Sequence, residues 1–426
     1  MGKVLSSLSG VCYGIEERIA EGAQGAVFRA RQRHTGEAVA IKILNTLRPE
    51  ESREARRRLS AIQGKREELP KEFVLPFDII ESPRLGYVMP LIEGMQPLEK
   101  LLSRSRSMGS FSVHRRLQVS YRLASAFRAL HTRGMYYADI SWANILVDPG
   151  TSRIRIIDND NLDPGGRGKA TILGTPWFIA PELVAQRKES PDQYTDYHSL
   201  ATLVYYLLLL DHPLIGDRVA ADTQEMEQVW LGEKALFTHH PRDHSNRSTY
   251  GDGYHGLPER LRSLFQKAFV DGLHNPAQRV PDGRWRSAIM ETIEEMVKCP
   301  NCGERQYPAR DRRPTCPVCQ KRPRNAYLFL EFQQGRSRVR KAIHHGARIP
   351  GHLWRPDTGF DHSGRHVLAE VFLHNKHGLS LRNISRRSIH AHLKGNDYEL
   401  EPGKNIKLVA GLTFDWGRGT YPATVV

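Results

Sequence analysis

Between Ile15 and Ile43 apolar and polar residues alternate around a glycine-containing turn, with Val27, Phe28, Val39, Ile41 and Ile43 at positions that predict paired strands. Pro49 and two glutamates then open a charged helical stretch to about Ile62, acids in its first turn and arginines later, as the helix dipole favours. Phe73–Ile80 and Tyr87–Ile92 predict further strands. Leu98–Leu102 and Val113–Arg133 predict helices, the second placing Leu117, Tyr121, Ala124, Phe127 and Leu130 on one face. Two short β-rich runs, Ile145–Val147 and Ile154–Ile157, flank an Asp-Pro-Gly turn at 148–150. From Thr195 the pattern is mainly helical until about Lys298, and from Ala347 to Val426 it is β-like again, in segments such as HVLAEVFL and LTFDWG. A strand-rich first lobe and a helical second lobe predict a bilobal α+β domain with a cleft between them. A small all-β domain follows.

The chain of 426 residues exceeds one typical core, so two or three domains are expected. The most apolar run, Leu200–Leu210, is about half of the ~20 residues a membrane span needs and abuts Asp196, His198 and Asp211, so it predicts a buried helix. The N-terminus carries neither a long apolar region nor a small-residue cleavage site, so no secretory signal is expected. Met1-Gly2 with Ser6 formally fits a myristoylation pattern, but that match is given little weight. The net charge is +15. Ten Lys or Arg stand against two acids between Arg310 and Lys341, so this stretch holds +8 of it. Such a patch could bind nucleic acid, an acidic protein or a membrane surface, and a solvated linker is the simpler reading.

Four of the five cysteines form two CxxC pairs, Cys299-x2-Cys302 and Cys316-x2-Cys319, with Pro and Gly beside each pair. That is zinc-ribbon spacing. Four thiolates leave no open position on Zn2+, so a structural role is expected, with a redox switch as the alternative. Cys12 has no partner in the pattern. Five cysteines are too few for a disulfide framework and fit a reducing compartment.

The chemistry is concentrated in YADISWANILVD, residues 137–148, and IRIIDND, residues 154–160. Asp139 and Asn144 stand five apart. A short hydrophobic strand then leads to Asp158. Upstream lies Ile19-AEGAQGAVFRA-Ala30, whose Gly22 and Gly25 would let backbone amides approach phosphates, with Ala20 where a further glycine is expected. Val39-Ala-Ile-Lys42 places a lysine to hold nucleotide phosphates. Glu54 is the acid expected to fix Lys42, with Glu50 and Glu51 as alternatives.

In this order the motifs resemble the eukaryotic-type (Hanks) serine/threonine protein kinases over about residues 13–297. The resemblance implies ATP and Mg2+ as cofactors, Asp139 as the base that accepts the substrate hydroxyl proton, and Asn144 and Asp158 as Mg2+ ligands. It implies that Val27, Ala40 and Leu146 sandwich the adenine, while the Pro90 carbonyl and Ile92 amide of the hinge Met89–Ile92 hold its edge. Thr175 in GTPWFIAPE, residues 174–182, matches a threonine typical of serine/threonine kinases; Glu182 would pair with Arg279, and Asp196 would brace the catalytic loop.

Departures from the pattern are specific. Tyr137-Ala138 replace His-Arg, so no arginine is present to clamp an activation-loop phosphate. Ser141 replaces a lysine, and Asp158-Asn159-Asp160 replaces Asp-Phe-Gly. Tyr137 and Asn159 are expected to have changed as a pair and to hydrogen-bond. The motifs Asp158–Leu162, Gly174–Leu183, Thr195–Ala201 and Leu236–Arg247 together look like a bacterial kinase family. Its members are commonly encoded with a metal-dependent serine/threonine phosphatase and a von Willebrand factor A protein. That resemblance implies a cytoplasmic signalling role and a protein substrate.

The last ~80 residues, with LRNIS and LEPGKNIKLVAGLTFDWG, resemble the closing strands of a forkhead-associated-like β-sandwich. Gly364-Arg365 and Ser385 or Ser388 are only loose matches to a phosphothreonine reader, so a structural or docking module is the stronger expectation. The organisation expected is a kinase-like domain over 1–297, a zinc ribbon over 298–325, a basic linker over 326–346 and the β-sandwich over 347–426. A nucleotide-binding pseudokinase and a nucleic-acid or scaffold-binding protein are the alternative functions.

Overall fold

A computed structural model describes residues 4–22, 24–108, 111–162, 175–220, 222–250, 253–308, 314–323, 327–335, 337–355, 367–374, 378–417 and 419–426. Gly174 and Gly364-Arg365 lie outside the described residues. The chain divides into two compact units, Met1–Arg286 and Ser287–Val426.

The first unit begins with the antiparallel strands that the alternation predicts: β1 (Val4–Ser6), β2 (Cys12–Gly22), β3 (Gly25–Gln32) and β4 (Ala38–Leu44). After helix α1 (Pro49–Gly64) come β5 (Asp78–Ile80) and β6 (Gly86–Pro90), completing a six-stranded sheet in the order β1-β2-β3-β4-β6-β5. Only Asp78–Ile80 of the run Phe73–Ile80 is strand, because Pro76 interrupts the pairing. Helix α1 packs Ala55 and Leu59 into one cluster with Ala40, Leu44, Ile79, Tyr87 and Met89. Period 3.6 on the helix and period 2 on the strands thus meet in a shared core.

The helical half is built on α3 (Val113–His131) and α5 (Gln193–Leu209), reached through β7 (Gln96–Pro97) and α2 (Leu98–Met108). Ser112 caps α3 by accepting a hydrogen bond from the Arg115 amide, and Asp192 caps α5 from the Tyr194 and Thr195 amides. Helix α5 carries the apolar run Leu200–Leu210 and is buried almost all round, as that composition predicts. Among the described residues no helix is long and apolar enough to cross a membrane. Strand β8 (Ile145–Val147) lies between β7 and β9 (Ile154–Ile156) in a three-stranded sheet, and the short helix α4 (Pro181–Val184) precedes α5. Phe73 bridges to Ile156, tying the segment before β5 to this small sheet.

Helices α6 (Asp217–Ala220), α7 (Gln224–Leu231), α8 (Glu259–Gln266) and α9 (Asp282–Glu295) follow; the division between the units falls within α9.

In the second unit, β10 (Val297–Lys298) and β11 (Arg305–Gln306) form a hairpin around the first CxxC knuckle. The sandwich then comprises β12 (Leu328–Gln334), β13 (Ser337–Ile343), β14 (Arg348–Pro350), a turn of helix α10 (Gly351–Trp354), and β15 (Val367–His374) to β16 (Gly378–Asn383). It is completed by β17 (Ile389–Leu393), β18 (Asn396–Leu400), β19 (Asn405–Lys407), β20 (Thr413–Asp415) and β21 (Ala423–Val425). One sheet has the order β13-β12-β21-β20-β17-β18 and the other β14-β15-β16-β19. Leu330, Phe332 and Phe414 of the first and Ile349, Val371 and Leu381 of the second share a single core.

This corrects the expectation of a basic linker over 326–346. Its described residues include the paired strands β12 and β13, seven residue pairs in register from Leu328 opposite Ile343 to Gln334 opposite Ser337. Its apolar positions Leu330, Phe332 and Val339 enter the sandwich core, while Phe329 and Ala342 on the other face pack with Val297 and Tyr327. Arg338 and Arg340 alternate with them and point outward. Arg338 and Arg340 both reach Glu331, at 3.5 and 2.9 Å, and Lys341 pairs with the buried Glu294.

Candidate active site

A cavity of about 600 Å³ opens between the six-stranded sheet and the helical half of the first unit. Its walls include Gly22, Gly25, Val27, Ala40, Lys42, Pro90, Ile92, Asn144, Leu146 and Asp158. Ten of the residues expected from the sequence therefore meet in one place, although they come from positions 22 to 158. Local folding explains four of them. Strand β4 alternates, so Ala40 and Lys42 share a face. The β2–β3 turn lays Gly22 and Gly25 over the opening, opposite each other in register. A Cβ on Gly25 would lie 2.1 Å from the Ile43 carbonyl oxygen, so the close approach of β3 to β4 requires glycine there. A Cβ on Gly22 would meet no protein atom within 4 Å, and the space beside it belongs to the cavity.

The segment from Tyr137 to Asp139 is held by buried charge. Asp196, in the first turn of α5, accepts hydrogen bonds from the Tyr137 amide at 2.6 Å and the Ala138 amide at 2.9 Å. Ala138 is left-handed, φ 70°, a conformation that costs a non-glycine residue about 1 kcal/mol or more and persists here because Asp196 grips its N–H. Asp196 is itself bound by His131 Nε2 at 2.9 Å, and Asp282 binds His131 Nδ1 at 2.8 Å. Burial works against a charged imidazole, but the two carboxylates outweigh it and push the His131 pKa up to about 9. His131 and Asp282 were not anticipated from the sequence. Their partners lie 65 and 151 residues from His131, and no local spacing signals that.

Asp139 follows directly. Its Oδ1 accepts from the Thr175 amide and hydroxyl, both at 2.7 Å, and its Oδ2 accepts from Asn144 Nδ2 at 2.7 Å. Burial raises the Asp139 pKa although these donors favour the carboxylate. Thr175 Oγ1 lies 3.1 Å from Ser141 Oγ, so the serine standing in the lysine position joins this network as a buried hydroxyl. Asn144 spends its amide hydrogens on Asp139, which fixes the amide and leaves its carbonyl oxygen, an acceptor, for other contacts. That oxygen and the Asp158 carboxylate are the hard donors Mg2+ prefers. The cavity volume suits a nucleotide, and its apolar wall of Val27, Ala40 and Leu146 with a polar end at Lys42, Asn144 and Asp158 suits a base at one side and phosphates at the other.

The structure does not bring Glu54 to Lys42. Positions 55 and 59 of α1 face the core, and Glu54 is rotated away from them to pair with Arg57 at 2.8 Å. Glu51 is occupied by Arg48 at the start of the helix. Lys42 instead contacts Asp158, both oxygens of Asp160 at 3.3 Å, and Gln24 Oε1 at 3.0 Å. Burial disfavours its charge, but Asp160 and Asp158 outweigh that and hold its pKa above the ordinary lysine value. Asp158 is pushed up to about 7 by burial and by the charge of Asp160, with Lys42 opposing.

The expected Tyr137–Asn159 hydrogen bond is absent. Tyr137 donates to the Ile157 carbonyl, and Asn159 donates to the Val74 and Ile156 carbonyls at 2.9 and 2.8 Å. Both side-chain donors are thus spent on backbone carbonyls, which leaves neither for the other residue. Glu182 and Arg279 do meet, in a two-pronged pair at 2.8 and 2.6 Å.

The protein kinase domain family matches residues 13–276, the span that carries every one of these contacts except those of Arg279 and Asp282. The chain belongs to the protein kinase family. It is similar to Serine/threonine-protein kinase pkn3 of Myxococcus xanthus, 29% identical over 209 residues, which are 46% of this chain and 37% of that protein. It is 30% identical to Probable serine/threonine-protein kinase zyg-1 of Caenorhabditis elegans over 219 residues, 50% of this chain and 29% of the relative. The chain thus spans about a third of the length of these two relatives. Against Serine/threonine-protein kinase PknL of Mycobacterium tuberculosis the match is 27% over 362 residues, 82% of this chain and 80% of that one. The kinase-family site of this chain therefore differs from the expected layout in the acid that faces its lysine.

The second unit holds a separate cluster. Cys299, Cys302, Cys316 and Cys319 bring their sulfurs within 4.8 Å of one another, with Cys299–Cys319 at 3.7 Å and Cys302–Cys316 at 3.5 Å. Four sulfurs at ~2.3 Å from one Zn2+ would stand about 3.8 Å apart, so the donor set fits a tetrahedral ion. Each knuckle turns back on itself through backbone bonds, Gly303 N to Cys299 O and Gln320 N to Cys316 O.

Proposed function

We propose that the chain is an ATP- and Mg2+-dependent serine/threonine protein kinase acting on a protein substrate in bacterial cytoplasmic signalling. The observation that carries this reading is the Asp139 environment: a half-buried carboxylate beside Asn144 of the cavity wall, fixed by Thr175 and Asn144 through three hydrogen bonds of 2.7 Å. A side chain so fixed is pre-aimed at an incoming hydroxyl, and its burial keeps it basic enough to take the proton. Bound Mg2+ supplies electrostatic stabilisation of the phosphates, and Asn144 and Asp158 are the residues that would hold it. Lys42 and the amides of Gly22 and Gly25 hold the phosphates. Val27, Ala40 and Leu146 enclose the adenine, and Pro90 and Ile92 hold its edge. Glu54 contributes no contact to this arrangement.

The four cysteines hold a structural Zn2+, and the sandwich, forkhead-associated-like in its closing strands, serves docking. A cognate metal-dependent phosphatase and a von Willebrand factor A protein are the partners the family resemblance implies. The test is radiolabel transfer from ATP by full-length protein with the Asp139→Asn variant. The variant should lose phosphotransfer by about 10³-fold or more while binding ATP within about threefold of wild type. Undiminished turnover would remove Asp139 from the role. The second reading, a nucleotide-binding pseudokinase, is favoured by the hydroxyl of Ser141 in the place of a lysine; it predicts ATP binding with no transfer by the wild-type chain.

A further inference from the structure

We propose that Asp160 takes over the duty of the helix glutamate, so that one three-residue turn, Asp158-Asn159-Asp160, supplies both the metal-binding carboxylate and the carboxylate that positions Lys42. The inference rests on the kinase reading above and names the device by which its lysine is set.

A lysine that must hold phosphates in a partly dry cleft needs a carboxylate to fix its rotamer, and in protein kinases that acid ordinarily comes from the helix after the lysine strand. Here helix α1 has none to offer. Glu54 pairs with Arg57, Glu51 with Arg48, Glu50 is exposed, and Ala55 and Leu59 occupy the core-facing positions. Asp160 meets the need instead. It is buried, 7% exposed, and presents both oxygens to Lys42 Nζ at 3.3 Å, while the Lys42 side chain is 6% exposed.

The turn is built for this. Asp158 is left-handed, φ 63° and ψ 51°, which swings the chain so that carboxylates two residues apart converge on one ammonium. Asn159, between them, anchors the turn through its two bonds to the Val74 and Ile156 carbonyls. A phenylalanine could make neither bond, and a glycine at 160 could not reach Lys42. The substitution of both residues is thus accounted for by one function. Asp158 faces two tasks, metal and lysine, and touches Lys42 here; Asp160 is the carboxylate that keeps Lys42 placed when Asp158 holds the metal. Because the lysine's partner sits in the same turn as the metal ligand, setting Lys42 does not depend on an acid carried by α1. This agrees with the missing arginine at Ala138, which leaves no clamp for a phosphorylated activation loop.

The test uses full-length protein and two readouts. In thermal unfolding without nucleotide, Lys42→Met and Asp160→Asn should be strongly non-additive: Asp160→Asn lowers Tm by several degrees in wild type and by about 1 °C or less in Lys42→Met. Lys42→Met and Glu54→Gln should add. This cycle reads the ion pair whether or not the chain turns over, so loss of the kinase reading does not decide it. In phosphotransfer, Asp160→Asn should raise KM for ATP about tenfold, Asp160→Glu should recover most of that, and Glu54→Gln should stay within about twofold of wild type. Additive Tm changes at Lys42 and Asp160 would overturn the inference. So would a tenfold KM effect in Glu54→Gln, or an Asp160→Asn variant with unchanged KM for ATP and a raised Mg2+ requirement.

Discussion

The His131 brace makes stability of the first unit depend on pH in a direction that can be worked out in advance. His131 is wedged between Asp196 and Asp282, both side chains at most 3% exposed, with the Tyr197 ring edge-on at 5.4 Å. Its pKa stands at about 9, against 6.5 for a free histidine. A group whose pKa is raised on folding contributes stability that is fully present below about pH 6.5 and lost as pH rises through about 9. The difference of about 2.5 units corresponds to about 3 kcal/mol, at ~1.4 kcal/mol per unit. For a domain of this size that is roughly 6–12 °C in Tm.

The assay is thermal unfolding of full-length protein from pH 6 to pH 10. It follows the transition that MgATP shifts, which assigns that transition to the nucleotide-binding unit. Wild type and His131→Gln should differ most at pH 6 and converge by pH 10. Asp282→Asn, which keeps the imidazole but removes one carboxylate, should move the loss to lower pH. Parallel pH profiles for wild type and both variants would show that His131 is not charged in the folded state, and the argument would fail.

Two further outcomes follow from packing and ligand chemistry. Gly25→Ala should lower Tm and phosphotransfer together, by about 2 kcal/mol or more in stability, because the new Cβ would stand 2.1 Å from the Ile43 carbonyl oxygen and β3 must move; a neutral effect in calorimetry would contradict the close approach. The purified chain should carry one zinc, measured by atomic emission, and Cys316→Ser should lose it and its local fold, since Cys316 is fully buried among the other three sulfurs. Equal metal content in variant and wild type would rule out the four-sulfur site.

Much of the site was legible because its chemistry is carried by residue types at short spacings. Asp139 and Asn144 lie on one short loop, Ala40 and Lys42 on one strand face, and each pair of cysteines on one knuckle. Local geometry alone brings such residues together, and the cavity then gathers the groups. Periodicity likewise sufficed for α3 and α5, whose apolar positions recur at helical spacing. It failed at β12–β13, where a count of arginines concealed the alternation of Leu330, Phe332 and Val339 beneath them.

Which acid faces Lys42 was beyond reach of the chain read linearly. Lys42 is 116 residues from Asp158 and 118 from Asp160, and the choice among five carboxylates turns on which face of α1 carries its glutamates and on one left-handed residue. The same holds for His131, whose charge exists only because two distant aspartates close on it away from water. Order and identity of the reactive groups are properties of the chain; the pairing of buried charges is a property of the packed interior. Coulomb energy in a desolvated space depends on separations of a few ångström, and only the assembled fold sets those.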